Sequence, residues 1–127
     1  MNLELIGITL LCLASVFGED KYTSKYNNID LDAIIRNERL LKVYFRCLTE
    51  GVGCTPEGNH LRKVLPEAIQ TGCAKCTEEH KRGARKVVKF LMEEKPQFWE
   101  KLVNFYDPDK IFRERFKQQL LTEGIKI

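Results

Sequence analysis

The chain has 127 residues, of which 43% are hydrophobic and 31% are charged; it is too short for several domains and too apolar for a disordered polymer, so we expect one compact domain. The formal net charge of +3 is too small for a nucleic-acid-binding protein, which would carry a dense basic cluster. No apolar run reaches the roughly 20 residues that a membrane span requires, so we expect no membrane insertion.

The first 18 residues have the pattern of a secretory signal peptide. Leu5 to Phe17 is a nearly unbroken apolar segment, and Gly18 supplies the small residue at which such peptides are cleaved. A buried amphipathic helix is the alternative, but Glu4 is the only charged side chain before Glu19. We therefore predict an extracellular protein whose mature domain spans 19–127. It keeps four cysteines, which predicts two disulfides in an oxidising compartment.

The chain from residue 30 onward predicts about six short helices and no convincing strand, because apolar residues recur at helical spacing. Asp30 or Asn28 caps the first helix, and Asn37 caps the second. Thr55 caps the third, with proline at the first helical position and a glycine placed to end the helix. Pro66 lies inside this third helix, where we expect a kink or a local loosening.

The second half of the chain predicts three more helices. Thr77 caps the fourth helix, and Pro96 begins the fifth. The turn at 107–109 leads to one last helix that ends near Gly124. Helices this short are not stable alone in water, so each must bury its apolar stripe against the others in a single all-α domain.

The four remaining cysteines are Cys47, Cys54, Cys73 and Cys76, and their spacing alone allows three pairings. Pairing of neighbours would close two helix corners with little strain. A zinc site is a poor match, because the first spacer has six residues rather than two to four. A thioredoxin-like redox pair is disfavoured as well, because no strand precedes the second pair.

Residues for catalysis or metal binding are scarce. Ser24 is the only serine of the mature chain and lies in its polar leader, which argues against a serine hydrolase. His60 and His80 are the only histidines, and both fall in first turns of predicted helices, where exposed side chains are the simplest expectation. We therefore predict no enzyme activity, no metal and no cofactor.

Short motifs accompany the cysteine spacing over most of the mature chain, from about Lys21 to Asp109. They are Tyr22-Thr23-x-Lys25-Tyr26, Asn28-Ile29-Asp30-Leu31-Asp32, Arg39-Leu40-Leu41, Cys54-Thr55-Pro56-Glu57-Gly58, Leu65-Pro66-Glu67-Ala68, Gly72-Cys73-Ala74-Lys75-Cys76, Lys95-Pro96 and Tyr106-Asp107-Pro108. With these motifs the chain resembles the insect chemosensory proteins. The resemblance implies a fold of six helices around a hydrophobic channel and the binding of long-chain lipids, pheromones or odorants. It also implies disulfides that join Cys47 to Cys54 and Cys73 to Cys76.

The resemblance also assigns roles to single residues. Tyr26 matches a family tyrosine near the channel mouth, and Trp99 is implied on or near the channel wall. Two positions depart from the family pattern: Asn27 replaces an aspartate and His80 replaces a glutamine. Because an unperturbed histidine titrates near pH 6.5, His80 raises the hypothesis that binding depends on pH.

From these observations we predict a secreted monomeric carrier of small hydrophobic molecules, whose receptor partner the sequence does not identify. The predicted channel residues are apolar or aromatic, with Tyr26 at the entrance and Ile34, Leu40, Tyr44, Val64, Leu65, Ile69, Val87, Leu91, Trp99 and Leu102 along the wall. Each is equally suited to an ordinary core. The alternative is therefore a filled core in a secreted developmental or immune signalling factor that acts through its surface.

Overall fold

A computed structural model of the chain describes residues 21–26 and 28–125. The predicted signal peptide, residues 1–18, and Asn27 lie outside the described residues. The described part contains seven helices and no strand, so the prediction of one all-α domain is confirmed. The helices are α1 (Leu31–Arg36), α2 (Glu38–Glu50), α3 (Pro56–Thr71), α4 (Glu78–Glu94), α5 (Pro96–Tyr106), α6 (Ile111–Arg115) and α7 (Lys117–Thr122).

Side-chain caps begin the first four helices, as the sequence predicts. The backbone N–H of Ala33 donates to the Asp30 carboxylate at 3.1 Å, and the Leu40 N–H donates to the Asn37 side chain at 3.2 Å. Thr55 caps α3 in the same way, at 3.0 Å from the Gly58 nitrogen. Each cap satisfies a donor that the first turn leaves without an intrahelical partner. The expected residues therefore fix where the helices begin.

The last predicted helix is divided in the structure. It separates into α6 and α7 at Phe116, whose φ of −106° and ψ of 19° leave the helical region. The Phe116 ring lies so close to Gly72 that a Cβ on this glycine would be 2.7 Å from the ring. Packing of Phe116 against the end of α3 accounts for the break. By contrast, α3 continues through Pro66 to Thr71.

The centre of the molecule lies where four helices meet. Helix α2 packs against α1, α3 and α5, while α4 packs against α1 and α5. Ile35 of α1, Leu41 of α2 and Leu91 of α4 are buried together at this junction. Around them lie partly buried apolar side chains: Val87, Phe90, Phe98, Trp99 and Leu102. We call these eight residues the core cluster.

Two disulfides join neighbouring cysteines, Cys47 with Cys54 and Cys73 with Cys76, which confirms the pairing that the family resemblance implies. The first bond ties the end of α2 to the start of α3. The second closes the short connection between α3 and α4. Cys47 is the most deeply buried apolar residue of the described chain, with 1% of its surface exposed.

Loss of the first disulfide should destabilise the protein more than loss of the second. The pairs are 7 and 3 residues apart, respectively. Loop-closure entropy predicts losses of about 2.5 and about 1.5 kcal/mol in the free energy of unfolding. Urea denaturation of the Cys47→Ala/Cys54→Ala and Cys73→Ala/Cys76→Ala variants measures both. A larger loss for the second pair would contradict this ranking.

Candidate functional site

The core cluster contains four of the predicted channel residues. Val87 and Leu91 come from α4, and Trp99 and Leu102 come from α5. Helices α4 and α5 are joined by Lys95 alone, so their apolar faces meet at a tight corner. Leu91 is only 4% exposed, whereas the other three are half-buried. The structure therefore brings these four residues together.

The predicted residues on α3 lie outside this cluster. Val64, Leu65 and Ile69 are half-buried, and α3 and α4, which are both fully described, do not pack extensively on each other. Helix α3 is held near its start, where a Cβ on Gly58 would lie 3.1 Å from the Cys47 sulfur. It is held at its other end by the contact between Phe116 and its C-terminal glycine. We call the space between the two helices the α3–α4 gap.

Three other predicted residues occupy different surroundings. The Tyr44 hydroxyl accepts a hydrogen bond from the Thr55 hydroxyl at 3.2 Å, which anchors this tyrosine at the contact between α2 and α3. Ile34 is half-buried on α1. Leu40 is 39% exposed and is not part of the core cluster.

Residues 21–26 cross the α3–α4 gap, and we call them the N-terminal strap. The Tyr22 N–H donates to the Lys75 carbonyl at 3.0 Å, and the Tyr22 hydroxyl donates to the Glu67 carboxylate on α3 at 3.0 Å. Burial and the bond to Glu67 raise the pKa of Tyr22 to about 12. Tyr26, the predicted entrance residue, places its ring 5.2 Å from that of His60. The strap is thus attached to α3 at two points.

His80 attaches the strap to α4. Its Nδ1 accepts the backbone N–H of Thr77 at 3.1 Å, and its own backbone N–H donates to the Thr77 hydroxyl at 3.2 Å. Together these two bonds form a capping box. The other ring nitrogen, Nε2, lies 3.2 Å from the Thr23 carbonyl of the strap. The sequence suggested an exposed histidine, whereas the structure shows a half-buried one with a partner on each ring nitrogen.

Helical register places apolar side chains on the two faces that carry the strap. On α3, His60, Val64 and Glu67 are four and three residues apart and so share one face. On α4, Val87 and Leu91 continue the face that begins at His80. The strap contacts His60 and Glu67 on the first face and His80 on the second. Helical periodicity does not predict this arrangement, because the strap contacts join residues that are far apart in the sequence.

A buried ion pair holds the last helices to α5. Asp107 is 6% exposed and receives hydrogen bonds from the backbone N–H groups of Phe112 and Arg113 at 3.2 and 3.0 Å. The Arg113 Nε also donates to it at 3.0 Å. Burial alone would raise the pKa of the Asp107 carboxyl, but these donors outweigh burial and hold the pKa below its usual value. A separate hydrogen bond, which the Tyr106 hydroxyl donates to the Leu48 carbonyl at 2.6 Å, joins α5 to α2.

Other kinds of site receive no support from the described residues. Within them, no group of three histidine, cysteine, aspartate or glutamate side chains is placed to hold a metal ion. No helix in this part of the chain is long and apolar enough to cross a bilayer. A cleft of about 110 Å³ lies between α4 and the C-terminal segment and is lined in part by Val88 and Ile125. None of the predicted channel residues borders this cleft.

Comparison with known proteins places the chain among insect proteins. Residues 22–114 match the model of the insect pheromone-binding family A10/OS-D. The ejaculatory bulb-specific protein 3 of Drosophila melanogaster is 42% identical over 123 residues, which cover 97% of this chain and 98% of that relative.

Two solved structures are similar in fold. A chemosensory protein in complex with bromo-dodecanol shares 41% identity at a TM-score of 0.71, and the match covers 78% of this chain and 99% of that one. The antennal chemosensory protein A6 of the moth Mamestra brassicae shares 40% identity at a TM-score of 0.63, covering 84% of this chain and 98% of that one.

Proposed function

This chain belongs to the insect pheromone-binding family A10/OS-D, the chemosensory proteins, and we propose from this that it is an extracellular carrier of small hydrophobic molecules with a long aliphatic chain. The observation that carries the proposal is the likeness to the chemosensory protein in complex with bromo-dodecanol, at 41% identity and a TM-score of 0.71. That ligand is a twelve-carbon chain with one polar end, which is the chemistry we propose for this protein.

The α3–α4 gap is the proposed binding site. Val64, Leu65 and Ile69 form one wall, and the α4–α5 corner of the core cluster forms the other. Val64, Leu65 and Ile69 are half-buried on a helix that does not pack extensively on α4, and a ligand between the two helices can complete their burial. Tyr26 stands at the entrance in this proposal. Leu40 contributes least, since it is 39% exposed.

The expected affinity follows from the burial of the aliphatic chain and the cost of association. Burial of twelve methylenes at about 0.8 kcal/mol each gives a gross gain of about 10 kcal/mol. Association and ordering cost at least about 4 kcal/mol, which leaves an affinity near the micromolar range. Such an affinity suits a carrier, because the cargo has to be loaded and also released.

Affinity should rise with the length of the aliphatic chain. We expect unbranched alcohols of eight, ten and twelve carbons to bind about fourfold more tightly per added methylene, because each contributes about 0.8 kcal/mol. Displacement of a fluorescent fatty-acid probe measures this series. Emission of Trp99, the only tryptophan of the chain and a member of the core cluster, reports occupancy independently. Affinity that is independent of chain length, or no displacement at all, would contradict the proposal.

Secretion and the absence of catalysis are part of the same proposal. Two disulfides are typical of an oxidising compartment, which supports an extracellular location. In the described chain, His60 contacts the strap and His80 contacts the strap and the cap of α4, and the family likeness supports a binding protein.

A further inference from the structure

The N-terminal strap bridges two helices that do not pack extensively on each other. Tyr22 joins it to Glu67 on α3, and the Thr23 carbonyl joins it to His80 on α4. Lys21 and the Tyr22 backbone fasten its first residues to the carbonyls of Ala74 and Lys75 in the disulfide-closed connection. The strap therefore links α3 to the start of α4 on this side of the molecule.

The contacts of His80 require the neutral imidazole. Nδ1 accepts the Thr77 N–H, so it must carry a lone pair and not a proton. The ring proton then resides on Nε2, from which it is donated to the Thr23 carbonyl. A second proton on Nδ1 would point at the Thr77 N–H. Both groups would then be hydrogen-bond donors, so the bond between them would be lost. The ring would have to turn away, and the strap would lose its attachment to α4.

The carboxylates around His80 are already paired with cations. From the connection and α3, Lys75 and Glu67 face the same corner and lie 3.3 Å apart. From α4 itself come two further pairs, Glu78 with Lys81 at 3.6 Å and Glu79 with Arg82 at 3.8 Å. The strap contributes the Tyr22 ring, 6.3 Å from the imidazole, together with the cations Lys21 and Lys25. Each of these carboxylates has a cationic partner, so none is placed to hold a protonated His80 in the present geometry.

We propose that His80 is a proton-operated latch, whose protonation detaches the N-terminal strap from α4 and opens the α3–α4 gap. The direction follows from proton counting: the latched state excludes the second proton, while the released state accepts it, so falling pH favours release. The consequence for cargo rests on the proposed carrier function, but the latch itself does not.

His60 is the matched comparison, because it is the other histidine in contact with the strap. The ring centroids of His60 and Tyr26 are 5.2 Å apart. This ring contact does not depend on a lone pair of an imidazole nitrogen, so protonation would not break it. A protonated imidazole is attracted to an aromatic ring by a cation–π interaction. Protonation of His60 should therefore leave the strap in place.

Amide hydrogen exchange of the ligand-free protein tests the latch. Protection factors, corrected for the intrinsic rate at each pH, should fall at least about fivefold from pH 7.5 to pH 5.0 at the amides of Tyr22 and Thr77, since a lost hydrogen bond is worth about 1 kcal/mol. The amide of Leu41 in α2 serves as the internal reference and should not change. The fall should share its midpoint with the ring resonances of His80. Equal protection at both pH values, or a midpoint that follows another group, would overturn the proposal.

Two variants assign the effect to one side chain. Glutamine is a usual residue at this position of a capping box, and it offers an acceptor and a donor without titrating in this range. His80→Gln should therefore keep the Tyr22 amide protected at both pH values, whereas His60→Gln should respond to pH as the native protein does. A pH response in His80→Gln as large as in the native protein would overturn the assignment.

Release of cargo is measured separately. The dissociation rate of a twelve-carbon fluorescent fatty acid, followed by stopped flow, should be at least about fivefold faster at pH 5.0 than at pH 7.5 in the native protein, in line with one lost hydrogen bond. In His80→Gln the two rates should agree. If the probe binds at neither pH, the carrier function fails while the exchange result still decides the latch. If the rates are equal although the amides lose protection, the strap does not gate the gap.

Discussion

Replacement of Val64 by tryptophan should lower the affinity for a twelve-carbon alcohol about 100-fold without a loss of stability. Val64 is half-buried on α3 and shares a helix face with His60 and Glu67, both of which contact the strap. An indole there would occupy space equivalent to three or four methylenes of the ligand, worth about 3 kcal/mol. Displacement of a fluorescent fatty-acid probe measures the affinity, and urea denaturation measures the free energy of unfolding.

The same change at an exposed site is the control. Val43 on α2 is 37% exposed, so Val43→Trp should leave both affinity and stability unchanged. The free energy of unfolding of Val64→Trp shows whether the space around Val64 is open or already filled by other side chains. In a packed core the added atoms would cost about 1 to 3 kcal/mol. Loss of stability with unchanged binding would therefore favour the filled core of a signalling factor.

Replacement of Asp107 by alanine should lower the free energy of unfolding by about 3 kcal/mol, because it leaves the Arg113 guanidinium and two backbone N–H groups without their buried acceptor. Asp109, two residues further on, is exposed, and Asp109→Ala should change stability by less than about 0.5 kcal/mol. Chemical denaturation at neutral pH measures both variants. Equal losses would show that the hydrogen bonds to Asp107 add nothing to stability.

The contribution of Asp107 should disappear in acid. Its pKa is held below the usual value in the folded protein, so the stabilisation is fully present above the unfolded pKa of about 3.9. As pH falls through the lower folded value, the carboxylate takes up a proton and the stabilisation is lost. The difference in unfolding free energy between the native protein and Asp107→Ala should therefore shrink steadily below about pH 4. A difference that stays constant down to pH 2 would contradict this account.

Local features of the fold were predictable because the chemistry that sets them lies within a few residues of sequence. Asp30, Asn37 and Thr55 cap the helices that the pattern assigned to them, since a cap needs only its own side chain and the N–H three residues on. The two disulfide pairings were predicted from the family resemblance, because the cysteine spacing alone allows three pairing schemes.

Features that join distant segments could not be predicted in this way. The break at Phe116 depends on a glycine that is 44 residues earlier in the numbering, and no local pattern announces it. The histidine in the capping box of α4 replaces the usual glutamate or glutamine, so the motif went unrecognised at His80. The route of the strap between α3 and α4 depends on tertiary contacts alone. Helical periodicity identified apolar faces, but not which of them meet a neighbouring helix and which face the gap.

Methyl NMR of the native protein titrated with dodecan-1-ol tests most directly whether the α3–α4 gap receives an aliphatic chain. We expect the methyl resonances of Val64, Val87 and Leu91 to shift in a saturable way, with contacts to the ligand chain in nuclear Overhauser spectra. The exposed methyl groups of Val52 and Leu121, which are 50% and 51% exposed, should not respond. Shifts confined to the exposed methyl groups, or none at saturating alcohol, would contradict this expectation.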